Sequence, residues 1–100
     1  MSCINPLYLI RYRMDDSALM EEEILVMRQG RNIVFNFHKG LFASLIQPLI
    51  NLLEPCVTRR EGDRVILILE GEKAEELKAW LMLHLEQGFY ITELEDLELQ

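Results

Sequence analysis

Long apolar runs are missing from this chain of 100 residues. The longest, Val65-Ile66-Leu67-Ile68-Leu69 and Ala79-Trp80-Leu81-Met82-Leu83, fall far short of the about twenty residues that a bilayer-spanning helix needs. No basic start leads into an apolar stretch, so no secretory signal is predicted. Met1-Ser2-Cys3 lacks the glycine of a myristoylation site, and no anchor is implied. Cysteine is scarce: Cys3 and Cys56 form no Cys-x-x-Cys pair and have no histidine at zinc spacing. Two reduced thiols in a soluble, cytoplasmic protein are expected, with Cys56 a small buried residue.

Histidine is limited to His38 and His84, and neither has a cysteine or aspartate at ligand spacing. Glycine patterns for phosphate or dinucleotide binding are absent, and none of Ser2, Ser17 and Ser44 sits in a Gly-x-Ser-x-Gly elbow. The sequence therefore predicts no catalytic residue, no metal and no cofactor. Basic charge is also short. Ten Lys and Arg against 17 Asp and Glu leave a net charge of −7, which opposes the counterion-releasing contacts of nucleic-acid binding. Arginines are unevenly spread, with Arg28 and Arg31 around Gly30 and Arg59, Arg60 and Arg64 around Gly62. These read as solvated turn tips.

What is present is a core. Half of the residues are apolar and mean hydropathy is +0.06, which excludes disorder. A chain this long folds as one domain, burying roughly 65% of its unfolded surface. A 32-residue similarity organises it, with Glu22–Glu54 set over Glu54–Glu86. Arg28 then falls on Arg60, Gly30 on Gly62, Leu45 on Leu77 and Leu49 on Leu81. Each copy reads strand, glycine turn, strand, glycine, helix.

Residues 32–38 alternate as a strand does. From Gly40 to Pro55, apolar residues at spacings of three and four mark a helix, which Pro48 should kink near 44–47. Residues 56–60 and 64–70 flank Gly62 as a hairpin. Glu72, Glu75 and Glu76 open a helix over 72–87 that turns Ala74, Leu77, Leu81 and Leu85 to the core, and a last strand starts at 89–91. Before these come a strand at 7–14, good helix formers at 17–23, and Ile24–Met27 where the repeat places a strand. One helix over 17–29, leading to a parallel α/β sheet, is the alternative.

From residue 32 the order is β-α-β-β-α-β, so the predicted fold class is α+β. It is a ferredoxin-like core over 32–98, with an N-terminal β-strand extension over 1–31 and two helices on one face of a mainly antiparallel sheet. Within the single domain 1–100, 32–60 and 64–92 form pseudo-repeated βαβ halves.

Apolar excess points to function. Strand 65–69 is apolar at both parities, so Ile66 and Ile68 call for a cover that two helices on one face do not provide. Trp80 and Leu83 lie off the Leu77-Leu81 stripe. Ile66, Ile68, Trp80 and Leu83 are thus the candidate interaction surface of a non-enzymatic protein-binding or regulatory module, a homodimer or a small acidic inhibitor, with no membrane and no nucleic-acid partner. The rival reading is a small dimeric enzyme or an anion sensor at the strand-to-helix corner His38, Lys39, Gly40. An RNA-binding sheet is disfavoured: Phe35 and Phe37 have no aromatic counterpart on 65–69.

Overall fold

A computed structural model describes residues 4–12, 22–84 and 90–93. Strands β1 (Ile4–Tyr12), β2 (Glu22–Gln29) and β3 (Asn32–His38) are followed by a helical run over 39–53. Then come β4 (Cys56–Glu61), β5 (Arg64–Glu70), the helix α3 (Gly71–His84) and the short β6 (Tyr90–Glu93). The helical run comprises α1 (Lys39–Leu41), a π-helical turn (Phe42–Ile46), a 3-10 turn (Gln47–Leu49) and α2 (Ile50–Leu53). The expected elements at 13–21, 85–89 and 94–100, Leu85 and Cys3 lie outside the described residues.

Both hairpins turn on a glycine. Gly30 and Gly62 each have φ of 63°, followed by a residue with negative φ, the combination of a two-residue type II′ turn that suits strand twist. Pro48 explains the irregular helix. It has no N–H to donate to the Ser44 carbonyl and its ring crowds that carbonyl, so the run widens into the π turn before it and tightens into the 3-10 turn at it. Within the run, Ser44 Oγ donates back to the Gly40 carbonyl at 2.8 Å.

The strands form one antiparallel sheet in the order β4-β5-β3-β2-β1, with β6 beside β1. Alternation sets its two faces. Ile10 and Tyr12, Ile24 and Val26, Ile33, Phe35 and Phe37, and Val65, Leu67 and Leu69 point to one side. There they join Leu41, Phe42, Ile46 and Leu53 of the helical run, and Ala74, Leu77 and Leu81 of α3, in a continuous apolar core. Phe35 and Phe37 stack at its centre, with centroids 5.7 Å apart.

The α+β class and the neighbouring of 32–38 with 64–70 agree with the sequence reading. The ferredoxin-like order does not hold. That order requires the last strand to lie beside β3, but β2 occupies the place and β6 lies two strands further out. The physical reason is loop closure. The two-residue turn at Gly30 brings β2 to the β3 edge at little entropic cost, before the distant β6 can compete. The strand read at 24–27 is observed, extended to Glu22–Gln29, so Glu22 and Glu23 belong to the strand and the alternative of one helix over 17–29 does not hold.

The 32-residue repeat appears in the sheet as two hairpin-plus-helix units related by a pseudo-twofold axis. Adding 32 to both members of the pairs Leu25↔Asn36 and Gln29↔Asn32 gives Val57↔Ile68 and Glu61↔Arg64, which are themselves pairs. Between the units, Ile33↔Leu69 exchanges with Phe37↔Val65, and Phe35↔Leu67 maps onto itself. The axis therefore passes through the Phe35–Leu67 pair.

Candidate functional site

The four residues singled out for interaction fall on two opposite faces. Ile66 and Ile68 alternate away from the core, onto the face opposite the helices. Through the pairings Met27↔Val34, Val34↔Ile68 and Val57↔Ile68, an apolar row crosses β2, β3, β5 and β4. Val34 in this row and Ile66 beside it are nevertheless 5% and 6% exposed, so less of this face meets solvent than the sequence suggests. Exposure rises at its end, where Val57 on β4 is 58% exposed.

Trp80 and Leu83 belong to the helical layer. Trp80 is half-buried against the core, and Leu83 is 81% exposed. Between the helical run and α3 lies an apolar groove of about 170 Å³, lined by Leu49, Leu52, Leu53, Leu77 and Trp80, with Glu76 as its charged wall. Lys73 joins its two sides, Nζ donating to the Leu52 carbonyl at 3.2 Å and to Glu76 Oε2 at 3.5 Å. The indole stacks on the His84 ring, with centroids 4.1 Å apart, and His84 Nδ1 lies 2.9 Å from the Trp80 carbonyl.

Leu52, at 71% exposure, and Val57 are the exposed apolar residues that sequence reasoning missed, Leu52 the more exposed of the two. A signal existed. Leu52 and Leu53 are adjacent, about 100° apart on a helix, so one narrow core face does not bury both.

The corner His38-Lys39-Gly40 is assembled as the sequence places it, and its donors are committed. His38 Nδ1 accepts the Gly40 N–H at 3.1 Å, and Lys39 N–H donates to the Asp63 carbonyl at 2.9 Å. The imidazole therefore caps a three-residue helix whose first backbone donors already have protein acceptors. Gly40 has a reason of its own, since a Cβ there would meet His38 Nδ1 at 3.3 Å.

A polar cluster on the outer face joins four strands. Arg64 Nε donates to Asn36 Oδ1 at 2.6 Å, and Nη2 to the carbonyls of Asn36 and Glu23, both at 2.9 Å. Arg11 Nε lies 3.2 Å from Glu23 Oε1. All of these bonds run within the sheet.

Two titratable groups are displaced. Burial and the nearby Glu75 carboxylate push the Tyr8 phenol up to about 12. Burial, then the charge of Glu54, pushes the Cys56 thiol up, which disfavours the reactive thiolate. Cys56 is half-buried rather than buried. Among the described residues, no three His, Cys, Asp or Glu side chains are grouped to hold a metal, and no helix is long and apolar enough to cross a membrane. Comparisons of the chain with known protein families, with curated proteins and with solved structures found no match.

Proposed function

We propose that this chain is a non-enzymatic protein-binding module that works as a homodimer through its helical layer. The observation that supports this reading is the exposure of Leu52 and Leu83, at 71% and 81%, beside the open groove at Trp80. Each leucine left in water forgoes about 1.5–3 kcal/mol relative to burial. Twofold symmetry presents every such side chain twice in one interface, which multiplies the gain. The rim is acidic at Glu76, yet Lys73 lies one turn away, so the same patch carries both signs for a self-complementary contact.

Sedimentation equilibrium over a wide concentration range tests it. The expected result is twice the chain mass, falling to one chain mass in Leu52→Glu and in Trp80→Glu while Ile68→Glu stays dimeric. A monomer at every concentration overturns self-association. Dissociation by Ile68→Glu alone would move the interface to the sheet.

A further inference from the structure

The pseudo-twofold axis relates the outer edge of β2 to the outer edge of β4, and the two edges differ in one respect. The β2 edge is filled by β1, through pairs such as Tyr8↔Val26 and Ile10↔Ile24. No described residue pairs with the outer edge of β4. Moving those pairs across the axis places Thr58 where Val26 is and Cys56 where Ile24 is. A strand beside β4 would thus set a side chain opposite Thr58 where Tyr8 sits on the other side. Tyr8 packs against the core with Lys78 of α3 over its ring, 4.6 Å from the centroid. Among the described residues, none fills the equivalent space beside β4. It is a hollow of about 160 Å³ in which the apolar Phe42, Ile50 and Val65 meet polar residues that include Thr58, Arg59 and Arg60, under the helical run instead of under α3.

We infer that the β4 edge is a docking lane for an extended segment of another protein, which adds antiparallel as a further strand and alternates apolar with acidic side chains. Three observations select this occupant. The axis-related edge already takes an antiparallel strand, so the sheet geometry accepts one. The mixed lining of the hollow fits a large side chain with an apolar body and a polar end, as Tyr8 is on the other side, and β4 of a second copy would bring only Cys56, Thr58 and Arg60 to that face. The lane is also flanked by exposed cations. Arg59 is shared with Glu61 at 3.4 Å, and Arg60 makes no ion pair with any described residue. The inference rests on the reading of the chain as a protein-binding module, and is independent of its self-association.

Fluorescence anisotropy with labelled peptides the length of β1 tests the lane. One peptide alternates Glu with Ile and Tyr, a second has Lys in place of Glu, and two more are the acidic peptide N-methylated on alternate amides. An extended strand points its N–H groups alternately to its two sides, so only one N-methylated set faces β4. The acidic peptide should bind and slow amide exchange over 56–61. One N-methylated form should lose binding, and the other should keep it within about twofold. Arg59→Glu with Arg60→Glu, both exposed, should fold unchanged, bind the acidic peptide about tenfold more weakly and prefer the Lys peptide.

If the acidic peptide does not bind while the helical-layer dimer persists, the arginines only guard an edge, and the inference falls while the proposed function stands. Equal binding of both N-methylated forms excludes strand addition and overturns it. So does concentration-dependent protection of 56–61 without peptide, which would give the lane to a second copy. Peptide binding by a strictly monomeric chain would retain the lane and remove the dimer.

Discussion

At the hairpin end of β5 the Arg64 guanidinium reaches β3 and β2, three donor contacts from one planar fork. Alternation puts it on the outer face with Ile66 and Ile68, so it caps the apolar row with a polar tie across strands. Lysine has one ammonium in place of the fork and cannot reproduce the bond pair to Asn36. Arg64→Lys should cost about 1 kcal/mol and Arg64→Met about 1–2 kcal/mol, read as a shift in the urea midpoint at unchanged slope. Asn36→Ala should add little once Arg64 is already Met, because the two residues share one network. Full additivity in that double-mutant cycle would show that the contacts contribute nothing jointly.

Among the elements, the two hairpins share one turn geometry, and their glycines supply a matched pair of tests. A Cβ built at Gly30 or at Gly62 meets no heavy atom within 4 Å, so substitution is opposed by the positive φ alone. Gly30→Ala and Gly62→Ala should each lower stability by about 1–2 kcal/mol, and by similar amounts. Asparagine, which tolerates that conformation better, should recover part of the loss at either site. Thermal or urea midpoints of the four variants decide this. Unequal costs would mean that the turns differ in more than their sequence position. The helical run is the element in which the repeat is least faithful. Its copy α3 buries Ala74, Leu77 and Leu81 at regular spacing, while Phe42 and Ile46 are four apart across the π turn. Pro48 made the place of that irregularity readable from the sequence. The outcome, a π turn rather than a simple kink, depended on which carbonyls found other donors.

On the scale of the whole molecule, what could be read from the sequence was whatever short-range physics decides. Glycine turns gave the hairpins, apolar spacing gave the helices, and the repeat anticipated the central β3–β5 pair. Placement of β6 could not be read, because it depends on which of two strands reaches the β3 edge first. Parity put Ile66 and Ile68 on the second face correctly, but parity does not report exposure: the open surface lies at Leu83, which its place off the helix stripe had marked, and at Leu52 and Val57, which nothing had. The axis that relates the two halves is broken by β1, and Tyr8 marks the contact between that strand and α3. Its phenol is raised to about 12 by burial first and by the Glu75 charge second. In the unfolded chain the group ionises near 10. Below that pH both states hold the proton and stability is at its full value. Between about 10 and 12 the unfolded chain has released the proton and the folded one retains it, so stability must fall as pH rises. The slope is bounded by about 1.4 kcal/mol per pH unit for one proton, and lies below that bound because Tyr8 is only half-buried. Urea midpoints measured from neutral pH to strongly alkaline pH, on the native chain and on Tyr8→Phe, isolate this part from the other tyrosines and lysines. The native chain should lose stability faster than Tyr8→Phe across the alkaline window and run parallel to it below. Parallel curves throughout would show that β1 and α3 do not pack around Tyr8 as the structure has them.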